Sequence, residues 1–157
     1  MANATVLIVE DSADARELIH CILDSAGFAV TEAEDGEEAW QSLEHSLPDL
    51  LLTDLTMPRL DGFELIRRVR ARVDLARLPI VAVTACVAAY GAEALKAGAT
   101  TIIQKPIDPD YLEETVNQLL PKDRRHWTEI EQKGQANAYT DHQFIEAGCL
   151  AFLKSGA

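Results

Sequence analysis

The sequence predicts an α/β domain, doubly wound, with a five-stranded parallel sheet between two layers of helices. Three observations predict it. Five short apolar runs, rich in β-branched residues, recur along the chain: Val6–Val9, Phe28–Val30, Leu50–Thr53, Ile80–Val83 and Thr101–Ile103. Each pair of runs is separated by a segment long enough for a helix. The first, third and fourth runs are nearly continuous in apolar character, as strands are when both faces of their sheet are covered.

The helical segments justify themselves in turn. Leu18, Ile19, Ile22 and Leu23 form one stripe; Phe63, Ile66 and Val69 or Arg70 form another; Leu112, Thr115, Val116 and Leu119 form the last. Gly27 and Gly98 stand where helix C-caps belong, each shortly before a strand. Pro109 suits the first turn of the final helix, with Asp108 as its N-cap. No internal repeat or low-complexity segment interrupts this alternation.

The 157-residue chain suggests one domain with an appendage: residues 1–120 as the α/β unit and 121–157 as an extension. Composition is that of a soluble globular protein, 48% hydrophobic and 25% charged. No apolar stretch approaches the roughly 20 residues of a bilayer span, and the N-terminus lacks the pattern of a signal peptide. Three scattered cysteines, Cys21, Cys86 and Cys149, make neither a disulfide framework nor a zinc site, which suits a cytoplasmic location. The net charge of −12 is carried by the first part, with 21 acidic and 9 basic residues up to Leu120 and 5 of each thereafter. Such a field disfavours nucleic acid and membrane surfaces and suits divalent cations or basic protein partners.

In parallel α/β sheets, sites form at the carboxyl ends of strands. The residues there are Glu10 and Asp11, Asp54, Thr84, then Lys105 and Pro106; the second strand offers Glu32 and Glu34 in a surface loop. Three carboxylates brought together repel unless a hard divalent cation joins them, and an open oxygen site suits Mg²⁺. An ammonium from Lys105 and a hydroxyl from Thr84 would complete a cradle for the equatorial oxygens of a phosphoryl group in transfer. On the central strand, Asp54 is the natural nucleophile.

Four motifs carry a family resemblance over about Val6 to Leu120: VEDSADAR, TDLTMPRLDG, VTA and QKP. The sequence resembles the receiver domain of two-component response regulators. The resemblance implies a flavodoxin-like fold, strand order 2-1-3-4-5, that accepts a phosphoryl group from a histidine kinase or phosphotransfer protein and then changes its contacts with a downstream target. It implies Asp54 as phosphoacceptor, Asp11 as direct Mg²⁺ ligand, Glu10 acting on the metal through water, and the backbone carbonyl of Thr56 as a further ligand. Thr84 would donate to a phosphoryl oxygen, Lys105 would pair with it, and Pro106 would follow a cis peptide. Met57 and Pro58 shape the turn, Asp61 and Gly62 start the next helix, and Ala85 leaves room for the phosphoryl group. Cys86 holds a position where the family tunes hydrolysis of the acyl phosphate; a plain loop cysteine is the simpler reading.

Two residues depart from the family pattern. Glu10 stands where Asp is commonest. Ile102, three before the lysine, replaces an aromatic residue whose rotamer couples phosphorylation to output, so that switch cannot operate in its usual form.

Beyond Leu120 the resemblance ends. Asp123 and the Thr140–Gln143 segment are placed to cap two short helices bearing Trp127, Ile130, Phe144, Ile145, Cys149, Leu150, Phe152 and Leu153. Such apolar content calls for a partner surface: the receiver, a second copy in a homodimer, or another protein. The extension is too short for a winged helix and has no basic stripe for nucleic acid. Two other functions compete: a Mg²⁺-dependent phosphohydrolase, against which stands the absence of a second aspartate two residues after Asp54, and a phosphorylation-independent scaffold, which needs none of these residues together.

Overall fold

The computed structural model describes residues 3–120. The helices expected around Asp123 and Thr140 lie outside the described residues. Five strands, β1 (Thr5–Val9), β2 (Ala29–Ala33), β3 (Leu50–Asp54), β4 (Ile80–Thr84) and β5 (Thr101–Gln104), alternate with five helices, α1 (Ala13–Ser25), α2 (Gly36–His45), α3 (Gly62–Ala71), α4 (Val87–Ala97) and α5 (Pro109–Leu119). All strand pairs are parallel and the order is β2-β1-β3-β4-β5, the flavodoxin-like arrangement. A single 3₁₀ turn, Val73–Leu75, precedes β4. No helix among the described residues is long and apolar enough to cross a membrane.

Side chains of a strand alternate between faces, and the alternation divides the core in two. Val6, Ile8, Leu50, Leu52, Val81, Val83 and Ile103 face α1 and α5, meeting Ile19, Leu23, Leu112, Val116 and Leu119. Leu7, Val9, Leu51, Ile80, Ala82 and Ile102 face the other way, onto Ala39, Leu43, Leu65, Ile66, Val69 and Ala94 of α2, α3 and α4. A fully buried Leu or Ile contributes roughly 1.5–3 kcal/mol of transfer free energy, so these two layers dominate the stability.

Three details of the sequence reading are corrected. Leu18 is exposed, so the buried stripe of α1 is Ile19 and Leu23 with Ile22 at its margin. Phe28 is buried just ahead of β2, which starts at Ala29. Glu32 belongs to β2 and not to a loop; it sits on an outer strand, within 3.2 Å of His20 Nδ1.

Helix ends are set by short polar side chains. The carboxylates of Asp35, Asp61 and Asp108 and the Ser12 hydroxyl accept backbone N–H groups at the starts of α2, α3, α5 and α1. Gly27 and Gly98, at φ 93 and 123, take the left-handed conformation that ends α1 and α4. On the face remote from the strand carboxyl ends, Arg70 donates to the carbonyls of Gly98, Leu75 and Ala76 and to the Thr100 hydroxyl, tying α3 to the α4–β5 turn.

At the opposite end, Gly62 lets α3 begin directly against β3. Its N–H donates to Leu55 O at 3.1 Å, and a Cβ there would run into the backbone carbonyl of Asp54. Because the obstacle is backbone, Gly62→Ala is expected to lower stability by about 1–3 kcal/mol, measured by urea denaturation.

Candidate functional site

The register brings the chemistry-bearing residues to one edge. Val9 pairs with Thr53, Asp54 with Val83, and Thr84 with Gln104, so Glu10, Asp54, Thr84 and Lys105 emerge together from the central strands. Glu10 is 1% exposed and Asp54 6%, whereas Asp11 faces solvent. Oxygens of Glu10, Asp11 and Asp54 lie within 4.8 Å of one another.

Lys105 joins the two buried carboxylates. Its Nζ donates to Asp54 Oδ2 and to Glu10 Oε2, both at 3.0 Å. The second oxygen of Asp54, Oδ1, accepts Thr56 N–H at 3.1 Å, and Glu10 Oε1 accepts Ser12 N–H at 3.2 Å. Arg16 of α1 donates to the Glu10 carbonyl at 2.8 Å and fixes the backbone there. Burial pulls the Lys105 ammonium down, but its hydrogen bonds to Asp54 and Glu10 outweigh that, and it titrates above the ordinary lysine value. Burial pushes Glu10 up to about 7; the nearby Asp54 charge adds to the rise and the Lys105 hydrogen bond opposes it.

The remaining expected residues are arranged around this pair. Thr84 is buried, and its Oγ1 accepts Cys86 N–H at 3.2 Å, which leaves the hydroxyl proton free for another acceptor. Ala85 and Cys86 are exposed on the loop that leads into α4. The Lys105–Pro106 peptide is cis, as expected. Ile102 is buried beneath α4, its Cδ1 close to Gly91. Thr56 is exposed at the start of the β3–α3 loop.

Two residues beside the site went unread in the sequence. Asp35 is 4% exposed and ion-paired with Arg59 of the β3–α3 loop. The signal was local: Asp35 followed three residues later by Glu38 is a capping pattern, and Asp35 Oδ1 does accept Glu38 N–H at 2.9 Å. Arg59 had no comparable signal, since nothing in the sequence shows its positive φ of 65.

Such a set of hard oxygens, a fixed ammonium and a free hydroxyl at the carboxyl edge of a doubly wound sheet fits known proteins. The family profile described as the response regulator receiver domain matches residues 6–117. The chain belongs to that family. An uncharacterized protein of Leptolyngbya boryana is 40% identical to it over 75% of this chain and 91% of the relative. Response regulator Rre1 of Synechocystis is 33% identical over 75% of this chain, and the match spans 52% of that longer protein. Among solved structures, the receiver domain of a sensor histidine kinase from Pseudomonas aeruginosa superimposes with a TM-score of 0.71 at 32% identity, covering 75% of this chain and 98% of that one. That structure has a magnesium ion coordinated in its active-site cleft. Receiver domains of this kind are modules of two-component signalling.

The Glu10 shift gives a signed expectation for the metal-free receiver. Its folded value is above the ordinary 4.5, so the folded state holds a proton that the unfolded chain releases between about 4.5 and 7. The stabilisation is therefore complete below 4.5 and lost as pH rises through about 7. In EDTA, the stability of wild type relative to Glu10→Gln should decline across that window, at up to about 1.4 kcal/mol per pH unit, and level off above it. Urea denaturation of both proteins at several pH values checks this; a flat difference would refute the assignment.

Proposed function

We propose that this receiver domain accepts a phosphoryl group on Asp54 in a Mg²⁺-dependent reaction, the donor being a phosphohistidine of a histidine kinase or phosphotransfer protein. The observation that carries the reading is Asp54 itself: a buried carboxylate at the tip of the central strand, held 3.0 Å from an ammonium that also holds Glu10. A buried carboxylate cluster is costly without compensation, and one ammonium does not balance three carboxylates. Glu10, Asp11 and Asp54 bring carboxylate oxygens together, a hard donor set that suits Mg²⁺ better than a soft metal, and the Thr56 carbonyl would be the further ligand that the family resemblance implies. When bound, the ion supplies charge neutralisation at the oxygens of the phosphoryl group in transfer.

The chain's own residues do the rest. A carboxylate oxygen of Asp54 forms the new P–O bond while the P–N bond to the donor imidazole breaks, and the released electron pair stays on that nitrogen. Lys105, already paired with Asp54, remains beside the acyl phosphate to hold one of its oxygens. The Thr84 hydroxyl, its proton uncommitted, donates to another. The small Ala85 leaves the approach open. The product is a phosphoprotein whose altered charge changes contacts with a downstream partner, so the domain acts as a switch on itself and turns over no separate substrate.

Intact-mass spectrometry after incubation with MgCl₂ and acetyl phosphate tests this. Wild type should gain one phosphoryl mass and Asp54→Ala none, and EDTA should abolish the gain. No gain in wild type would sink the proposal.

Ile102 separates chemistry from transmission. It lies beneath α4 and touches neither Asp54 nor Lys105 through any hydrogen bond. Ile102→Tyr should therefore still be phosphorylated by acetyl phosphate near the wild-type rate; loss of phosphorylation would contradict that separation.

A further inference from the structure

The β3–α3 loop contains a residue whose backbone is out of character. Arg59 is the only non-glycine residue among those described with a positive φ, 65. An L-residue with a long side chain is disfavoured in that region, and such outliers persist where surroundings impose them. Here the surroundings are identifiable. The Arg59 guanidinium ion-pairs with Asp35, whose side chain is 5% exposed while that of Arg59 is 67% exposed. Asp35 cannot follow the loop if it moves, because its other oxygen caps α2 at Glu38 N–H. The backbone hydrogen bond from Glu38 and the Arg59 guanidinium together hold the Asp35 carboxyl below the usual carboxylate range, so it is charged and ready to pair. Beside it, Gly36 presses on the Leu60 carbonyl so closely that a Cβ would collide. The loop is thus fastened at Arg59 and Leu60 to the first turn of α2, three residues after Thr56.

We propose that Arg59 is a positioning residue: its ion pair with Asp35 imposes the loop conformation in which the Thr56 carbonyl is presented to the cation of the acidic site. The inference rests on the Mg²⁺ role of that site proposed above. Thr56 N–H is already bonded to Asp54 Oδ1, which leaves the orientation of the next peptide, the one that carries the Thr56 carbonyl, to the course of the loop that follows. That course is what Arg59 sets.

The sign of the effect distinguishes positioning from charge. Arg59 is a cation on the loop beside a cation site, so by Coulomb's law alone its removal tightens Mg²⁺ binding. Positioning predicts the reverse. Isothermal titration of the full chain with MgCl₂ at fixed ionic strength, alongside thermal denaturation, makes the comparison. Arg59→Met should weaken Mg²⁺ by roughly tenfold, the lower end of the range for groups that orient metal ligands, while Arg59→Lys, which keeps the ion pair, should stay near wild type. Arg59→Gly is comfortable at positive φ yet has no guanidinium, and should lose affinity as Met does. Equal or tighter binding by Arg59→Met, or wild-type binding by Arg59→Gly, overturns the positioning role and leaves the metal site itself standing. A lowered melting temperature with unchanged affinity also overturns it, since that is what a purely structural ion pair would give. Absence of Mg²⁺ binding in wild type overturns both readings.

Discussion

The contact on which the site depends is the forked hydrogen bond of Lys105 to Asp54 and Glu10. Two buried carboxylates on adjacent strands repel by about 4 kcal/mol at 4 Å for an effective dielectric constant near 20, before the cost of removing them from water. A single ammonium at 3.0 Å from both reverses the sign of that interaction without filling the space beyond them. The arrangement remains short of positive charge once Asp11 is counted, and Glu10, pushed up to about 7 by burial with the Asp54 charge adding to the rise, is the carboxyl that most readily takes a proton. The same shortage of positive charge is the physical basis for the divalent cation and phosphoryl group proposed for this site.

The rest of the fold keeps this contact in place. Parallel pairing puts the carboxyl ends of β1, β3, β4 and β5 along one edge, and Lys105 N–H donates to the Thr84 carbonyl at 2.8 Å, which fixes where the lysine leaves its strand. Backbone contacts from both sides close the frame, with Arg16 on the Glu10 carbonyl and Gly62 against that of Asp54. Arg70 does its part at a distance, buried enough that its pKa falls to about 10 yet still charged, donating to carbonyls that would otherwise leave the α4–β5 turn poorly tied.

What the sequence made legible was the pattern that strand periodicity governs. A carboxylate after three leucines and a threonine, a lysine after two isoleucines and a glutamine, and a threonine after a β-branched run are positions at the ends of apolar strands, where a parallel sheet gathers them along one edge. What it hid depends on neighbours remote in the chain. Leu18 shares the helical spacing of Ile19 and Leu23, but which arc of α1 is covered is decided by the sheet and α5, and Leu18 lies just outside. Asp35 reads as one more acid in an acidic loop until a guanidinium 24 residues away is brought to it. The spacing leaves Val69 or Arg70 as the end of the α3 stripe; Val69 is the buried apolar residue, and the contacts that hold Arg70 are to carbonyls, which have no sequence signature.

The region around α4 shows how the site and a surface element share the same supports. The buried face of α4 is Val87, Gly91 and Ala94, small side chains that bury little apolar area, and Gly91 in the helix interior costs about 1 kcal/mol relative to Ala. Its N-cap residue, Cys86, makes no capping hydrogen bond with its side chain. The first amides are satisfied from elsewhere: Cys86 N–H by the Thr84 hydroxyl and Val87 N–H by Gln104 Oε1 at 3.2 Å. Both acceptors stand at the carboxyl ends of β4 and β5, one of them the residue before Lys105. A helix weakly held by its own packing and capped by the strand ends that carry the site cannot be indifferent to a displacement there. With Ile102 unable to act as an aromatic switch, this shared capping is a physical connection between the carboxyl ends of β4 and β5 and the first turn of α4 that needs no aromatic side chain.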